Sequence, residues 1–249
     1  MRPASPRVPV LSRDRRSPDR QVSPGGGPRR TPWCPDRHGE ESEHAHSGDG
    51  RDGTGGAGPA AAPAGARGDR VRVLARDEAR AAAWAGRGAE VVRGDLRDTD
   101  VLTKAVDGVD AVLNVAAAFK GGSDPREITE VNRDAAVRLG RLARDSGAHR
   151  FVQVSTNLVY GAGRDRPHEE DDDCVPGGPL RGPYPASKAE AERELLALDG
   201  LDVRIGRLAF VYGDGDPYLT DALRWTRHRP AAGRLQLVHV ADAACARSP

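Results

Sequence analysis

Between Ser23 and Arg70 the chain has no valine, isoleucine, leucine, methionine, phenylalanine or tyrosine, and Trp33 and Cys34 are its only sizeable apolar side chains there. Such a stretch cannot bury a core. Ten of the 19 prolines also fall before residue 70, so ordering entropy is unopposed and residues 1–69 are expected to form a disordered tail. Cysteine is scarce. Cys34, Cys174 and Cys245 lie far apart, which excludes a disulfide framework and suits a reducing cytoplasm. No run approaches the roughly eighteen apolar residues of a membrane span. The first 22 residues carry Arg15-Arg16 without the apolar segment of a secretory or twin-arginine signal. Charge of one sign is missing too: 38 basic against 37 acidic side chains leave a net charge of +1, which excludes a chain-wide field for polyanions. Lysine occurs only at 104, 120 and 188, so the positive charge is almost entirely arginine.

What is present begins after Arg70. Residues 71–75 (VRVLA) read as a short strand, and Asp77 caps an alanine-rich helix over 78–85 that stops at Gly86 or Gly88. The pattern then repeats, with strands predicted at 90–93, 111–115, 150–155 and 203–211 and helices at 98–106, 127–144 and 186–198. Ile128, Val131, Ala135, Leu139 and Leu142 form the apolar stripe of the third helix. Strands alternating with helices across short loops call for a doubly wound parallel sheet, a Rossmann-like α/β fold, over residues 70–249.

Tyr184-Pro-Ala-Ser-Lys188 opens a predicted helix, so a phenol and an ammonium share one helix face a turn apart. A neighbouring ammonium favours phenolate and draws a tyrosine pKa from about 10 towards neutrality, where the side chain can exchange a proton with a hydroxyl or carbonyl. The run Val154-Ser-Thr-Asn-Leu-Val-Tyr-Gly161 ends a central strand, where doubly wound folds place their sites.

Together these motifs make residues 71 to about 244 resemble the extended short-chain dehydrogenase/reductase family of NAD(P)-dependent epimerases, dehydratases and reductases. Asp95-Leu96, Asn114-Val-Ala-Ala-Ala118, the S-T-x-x-V-Y-G run and Tyr184/Lys188 occur in family order, followed by Arg207-Leu-Ala-Phe-Val-Tyr-Gly213 and Val238-His-Val-Ala-Asp242. The resemblance implies that Tyr184 is the proton donor or acceptor, Lys188 its pKa modifier and a ribose ligand, and Thr156 the hydroxyl that orients the substrate oxygen. Asn132 matches a supporting asparagine, with a helix-surface amide as its alternative. Asp95 and Leu96 are expected to flank the adenine, Ala116 and Ala117 to let the backbone approach the cofactor, and Leu208 to touch it. Where the second strand ends, the group that reads the ribose is Arg76 rather than a carboxylate, which favours NADP(H) over NAD(H). The implied activity is oxidoreductase, epimerase or dehydratase chemistry on a hydroxyl or carbonyl of a sugar nucleotide or related small molecule. The implied setting is a cytoplasmic protein, as a homodimer, with no nucleic-acid or membrane partner and no metal.

The family's glycine-rich T-G-x-x-G-x-x-G turn is absent in its expected form. Thr54-Gly-Gly-Ala-Gly58 imitates its start, yet no apolar strand precedes it, and Pro59 and Pro63 interrupt the helix that should follow. Written as codons and read from the second base, residues 47–53 (SGDGRDG) can specify Val/Ala, Val/Ala, Thr, Gly, Ala, Thr, Gly, the missing motif. The expectation is therefore an out-of-frame tail before a sheet lacking its first strand, with the C-terminal lobe also cut short after Asp242. Such a chain should bind dinucleotide poorly. A competing reading makes the tail a non-catalytic binding arm, since it has nine arginines against three aspartates up to Arg37. Its single tryptophan and lack of an Arg/Gly repeat argue against RNA recognition. Cys34, His38, His44 and His46 suit zinc by ligand type but lack a second close pair or a rigid scaffold. The run Glu169-Glu-Asp-Asp-Asp173 reads as a solvated loop, which the resemblance places near the substrate entrance.

Overall fold

The computed structural model describes residues 10–13 (backbone only), 70–119, 124–161, 167–175, 182–213, 236–239 and 243. Apart from 10–13, the expected tail over 1–69 lies outside the described residues, as do Cys34, the three histidines near it and Asp242.

Strands β1 (Val10–Arg13), β2 (Arg70–Ala75), β3 (Glu90–Arg93), β4 (Ala111–Asn114), β5 (Arg150–Thr156) and β6 (Asp202–Leu208) form one sheet in the order β3-β2-β1-β4-β5-β6. Pairing is parallel for β2 with β3, β4 with β5 and β5 with β6. The sequence pattern is thus met, because β2 and every later strand of this sheet were read as βα repeats. Helices are α1 (Glu78–Ala85), α2 (Thr99–Val106), α3 (Pro125–Thr129), α4 (Ala136–Asp145) and α5 (Pro183–Leu196). A π-helical turn, Glu130–Ala135, joins α3 to α4.

Two findings correct the sequence reading of the sheet. The slot expected to be empty is filled, and the filler comes from the tail: Val10–Arg13 pairs with β2 on one side and β4 on the other, antiparallel to both. Two flanking strands offer unpaired amides and carbonyls, and even a four-residue segment satisfies ladders on both sides at once. The predicted strand over 203–211 is also split. β6 follows β5 only to Leu208, while β7 (Phe210–Tyr212) pairs in parallel with β8 (Leu237–His239) in a second, two-stranded sheet.

Side chains alternate across β2, so Val73 and Leu74 face opposite sides of the sheet. Leu74 joins the larger core with Leu102, Val106, Val112, Val131, Leu139, Phe151 and Leu195, beneath α2, α4 and α5. Val73 meets Ala89, Val71 and Trp84 under α1. Helices on both faces complete the doubly wound arrangement. Gly140 sets the fit of α4 against α5: a Cβ there would lie 2.5 Å from Leu195 Cδ2.

Candidate active site

Parallel pairing brings the carboxyl ends of β2 to β6 to one edge, and the predicted residues follow from that edge. Arg76 comes just after β2 and Asp95-Leu96 just after β3. Ala116 and Ala117 follow β4, while Thr156 and Leu208 end β5 and β6 opposite each other in the ladder.

After β3, Asp95 accepts from Arg97 through the backbone N–H (2.9 Å), Nε (2.9 Å) and a terminal nitrogen (2.9 Å). Arg76 reaches the same carboxylate at 3.4 Å. The Arg97 guanidinium chiefly holds the Asp95 carboxyl down to about 2, and Asp95 in turn raises Arg97. Arg76 is exposed and Leu96 buried. Arg97 was missed in the sequence, where only Asp95 and Leu96 were singled out after the strand.

β4 ends at Asn114, one residue before the predicted boundary, because the Asn114 side-chain Oδ1 accepts from Ala116 N at 3.1 Å and turns the chain. Its amide nitrogen donates to Gln153 Oε1 at 2.9 Å. Asn132 sits in the π-helical turn and is 0% exposed, which removes the helix-surface alternative. Its oxygen accepts from Ala118 N at 2.7 Å, and its nitrogen donates to Ala118 O at 2.9 Å and to Ser187 Oγ at 3.2 Å. The backbone carrying Ala116 and Ala117 is thereby pinned from both ends.

α5 starts at Pro183, three residues earlier than predicted, since proline at the first helical position loses only an N–H without an intrahelical partner. Tyr184 lies in the first turn and packs edge-to-face on the half-exposed Phe119, with ring centroids 4.7 Å apart. One turn on, Lys188 is 2% exposed, and its Nζ donates to Val154 O at 3.0 Å and Ala116 O at 3.3 Å. Carbonyl oxygens of β5 and of the loop after β4 thus compensate the buried ammonium. Thr156 caps a 3₁₀ turn, Asn157–Tyr160, its Oγ1 accepting from Leu158 N at 3.3 Å while the O–H keeps its donor capacity. That turn closes on Gly161, whose φ of +78° explains the glycine of the V-Y-G run.

Behind these residues is a layer that sequence reading passed over. Glu192 lies one turn beyond Lys188 on α5, is 2% exposed, and accepts from Ser155 Oγ, from Arg207 Nε (3.0 Å) and from a terminal Arg207 nitrogen (2.9 Å). Spacing alone held the signal: Tyr184, Lys188 and Glu192 recur every four residues along one face.

The model of the NAD dependent epimerase/dehydratase family matches residues 53–243. A ketoreductase of Stigmatella aurantiaca, named for 4-hydroxy-2-methyl-3-oxo-4-farnesyl-3,4-dihydroquinoline-1-oxide, is 32% identical over 186 residues, covering 71% of this chain and 55% of its own. The chain therefore spans little more than half of that relative. Among solved structures, the NAD-bound dTDP-glucose 4,6-dehydratase DesIV of Streptomyces venezuelae has a TM-score of 0.50 and 29% identity, covering 62% of this chain and 52% of that one. The Bordetella bronchiseptica enzyme WbmG, in complex with NAD and UDP, has a TM-score of 0.52 and 25% identity, covering 64% of this chain and 52% of its own.

Proposed function

The chain belongs to the NAD-dependent epimerase/dehydratase family, within the extended short-chain dehydrogenases/reductases, and from that premise we propose that residues 70–249 form the core of an NAD(P)-dependent oxidoreductase, epimerase or dehydratase. Its substrate is a hydroxyl or carbonyl of a sugar nucleotide or related small molecule. The observation that carries this reading is Lys188: a lysine only 2% exposed, anchored to the loop after β4 and to β5 itself, the strand that ends in Thr156, and one turn from Tyr184. Burying an ammonium is costly, and a purely structural position is filled more cheaply by an apolar residue.

The residues present fit a dinucleotide at its two ends. Arg76, Asp95 and Leu96 suit the adenosine, with the Arg76 guanidinium matched to a 2′-phosphate, hence NADP(H) over NAD(H). Ala116, Ala117, Lys188 and Leu208 suit the nicotinamide riboside. The middle does not fit. Because β1 runs antiparallel, Val10 lies opposite Val73 and Leu113 towards the site edge, and Arg13 opposite Arg70 at the far one. A chain leaving β1 after Arg13 departs from the wrong edge to form a pyrophosphate-binding turn.

The nicotinamide, when bound, supplies the hydride chemistry. This chain's own residues handle the proton and the substrate oxygen. Thr156 donates to that oxygen and orients it, and Tyr184 gives or takes the proton at its phenol. Lys188 holds positive charge beside the phenol and favours its ionised form, while Asn132 fixes the loop on which the cofactor face is built.

Calorimetry tests the reading. The chain in this form should bind NADPH weakly and turn over slowly or not at all, whereas restoring the shifted segment 47–65 should recover binding. In the restored protein, Tyr184→Phe should abolish redox chemistry and spare NADPH binding. Equally tight binding by restored and unrestored chains would mean that the tail supplies phosphate contacts, and redox activity surviving Tyr184→Phe would remove its catalytic role.

A further inference from the structure

Glu192, which is buried, and the partly buried Arg207 form an ion pair whose other bonds lead in two directions. Towards the strand, Glu192 Oε1 accepts from the Ser155 hydroxyl. Ser155 lies between Val154, whose carbonyl accepts from Lys188, and Thr156. Towards the surface, one terminal nitrogen of Arg207 donates to Tyr160 Oη at 2.7 Å and to Glu170 O at 2.7 Å. The guanidinium carbon also lies 4.9 Å from the Tyr160 ring centroid, and Tyr160 stacks on His168 at 4.9 Å. Cys174 closes the circuit, its Sγ 3.6 Å from Glu192 Oε2.

We propose that Glu192 is a positioning residue: through Ser155 it registers the strand of Thr156 against the helix of Tyr184 and Lys188, and through Arg207 it holds the 167–175 segment over that same edge. The inference rests on the reading of Thr156, Tyr184 and Lys188 as the reacting set. The physical case is one of cost. A carboxylate and a guanidinium taken out of water repay their desolvation only when nearly all their lone pairs and N–H groups are used, and here they are used on three separate elements. An apolar pair could fill the same volume, but it could not fix a direction between strand, helix and segment.

Cys174 reports on this arrangement without any need for turnover. The charged groups facing its thiol are Glu192 from α5, Arg207 from β6 and Asp173 from its own segment. Burial pushes the thiol pKa up, the Glu192 charge pushes the same way, and Arg207 opposes both.

The test uses the full chain and two readouts, the pH profile of iodoacetamide alkylation at Cys174, resolved by peptide mass, and hydrogen exchange. In Glu192→Gln, the Cys174 profile should move to lower pH, and exchange should rise about tenfold or more in both 150–161 and 167–175, with 70–93 exchanging as in the wild type. Ser155→Ala removes one bond and leaves no buried charge unpaired, so it covers the case in which the first variant does not fold. It should raise exchange in 150–161 and leave 167–175 unchanged. An unshifted Cys174 profile with unchanged exchange in a folded Glu192→Gln protein would overturn the proposal. So would Ser155→Ala leaving 150–161 unchanged or loosening both segments equally. No arm measures redox activity, so a chain without catalysis fails the functional reading and leaves this result standing.

Discussion

Asn132 and Ala118 close a ring of two hydrogen bonds, the Ala118 N–H donating to the asparagine oxygen at 2.7 Å and the asparagine nitrogen donating back to the Ala118 carbonyl at 2.9 Å. A side-chain amide here substitutes for a strand partner, satisfying both backbone groups of a residue that has left the sheet. Asn132→Ala would orphan both groups in a water-free setting, at about 1–3 kcal/mol for each. The urea midpoint should fall accordingly. Asn132→Asp should be worse, since its second oxygen would oppose the Ala118 carbonyl; a midpoint equal to the wild type for either variant would refute the ring's importance.

Arg76 should decide between the cofactors. In a protein with the glycine-rich turn restored, Arg76→Ala is expected to weaken NADPH binding about ten- to a hundred-fold, since a charge-assisted contact to phosphate contributes roughly 1.5–3 kcal/mol. NADH affinity should barely change. Titration calorimetry giving equal losses for both would remove the assignment.

Asp95 makes an acid-dependent contribution to stability. Its pKa is lowered from 3.8 to about 2, chiefly by Arg97, so the folded state binds fewer protons than the unfolded state in that window. The contribution is complete above the unfolded value near 4 and is lost as pH falls through the folded value. After allowance for solvent screening it is on the order of 1 kcal/mol. Urea midpoints of wild type and Asp95→Asn should converge between pH 4 and pH 2, and parallel curves across that window would contradict the assignment.

Gly140→Ala inverts the usual helix rule. Alanine ordinarily stabilises a helix interior by up to about 1 kcal/mol over glycine, but the new Cβ would meet Leu195 Cδ2 at 2.5 Å in a side chain that is fully buried. Overpacking of this kind costs about 1–3 kcal/mol, so the net effect should be a lowered melting temperature. In a Leu195→Ala background the same substitution should become stabilising. A stabilising effect with Leu195 intact would show that the two helices separate freely.

Much of this was legible along the chain. Hydrophobic period marked the βα repeats after Arg70, because a strand buried on both faces and a helix with one apolar stripe differ in spacing wherever they occur. The four-residue step from Tyr184 to Lys188 and the small residues after Asn114 marked the site edge for the same local reason. Three features depended on distance in space. Occupation of the central slot by Val10–Arg13 was decided by two flanking strands with unpaired backbone groups, a demand that the tail's own composition does not express. The Asn132 ring required Ala118 to come within hydrogen-bond reach across 14 residues. Glu192 looked like any other helix carboxylate until β5 and β6 brought Ser155 and Arg207 against it, for burial and partnership belong to the packed molecule and have no period in the sequence.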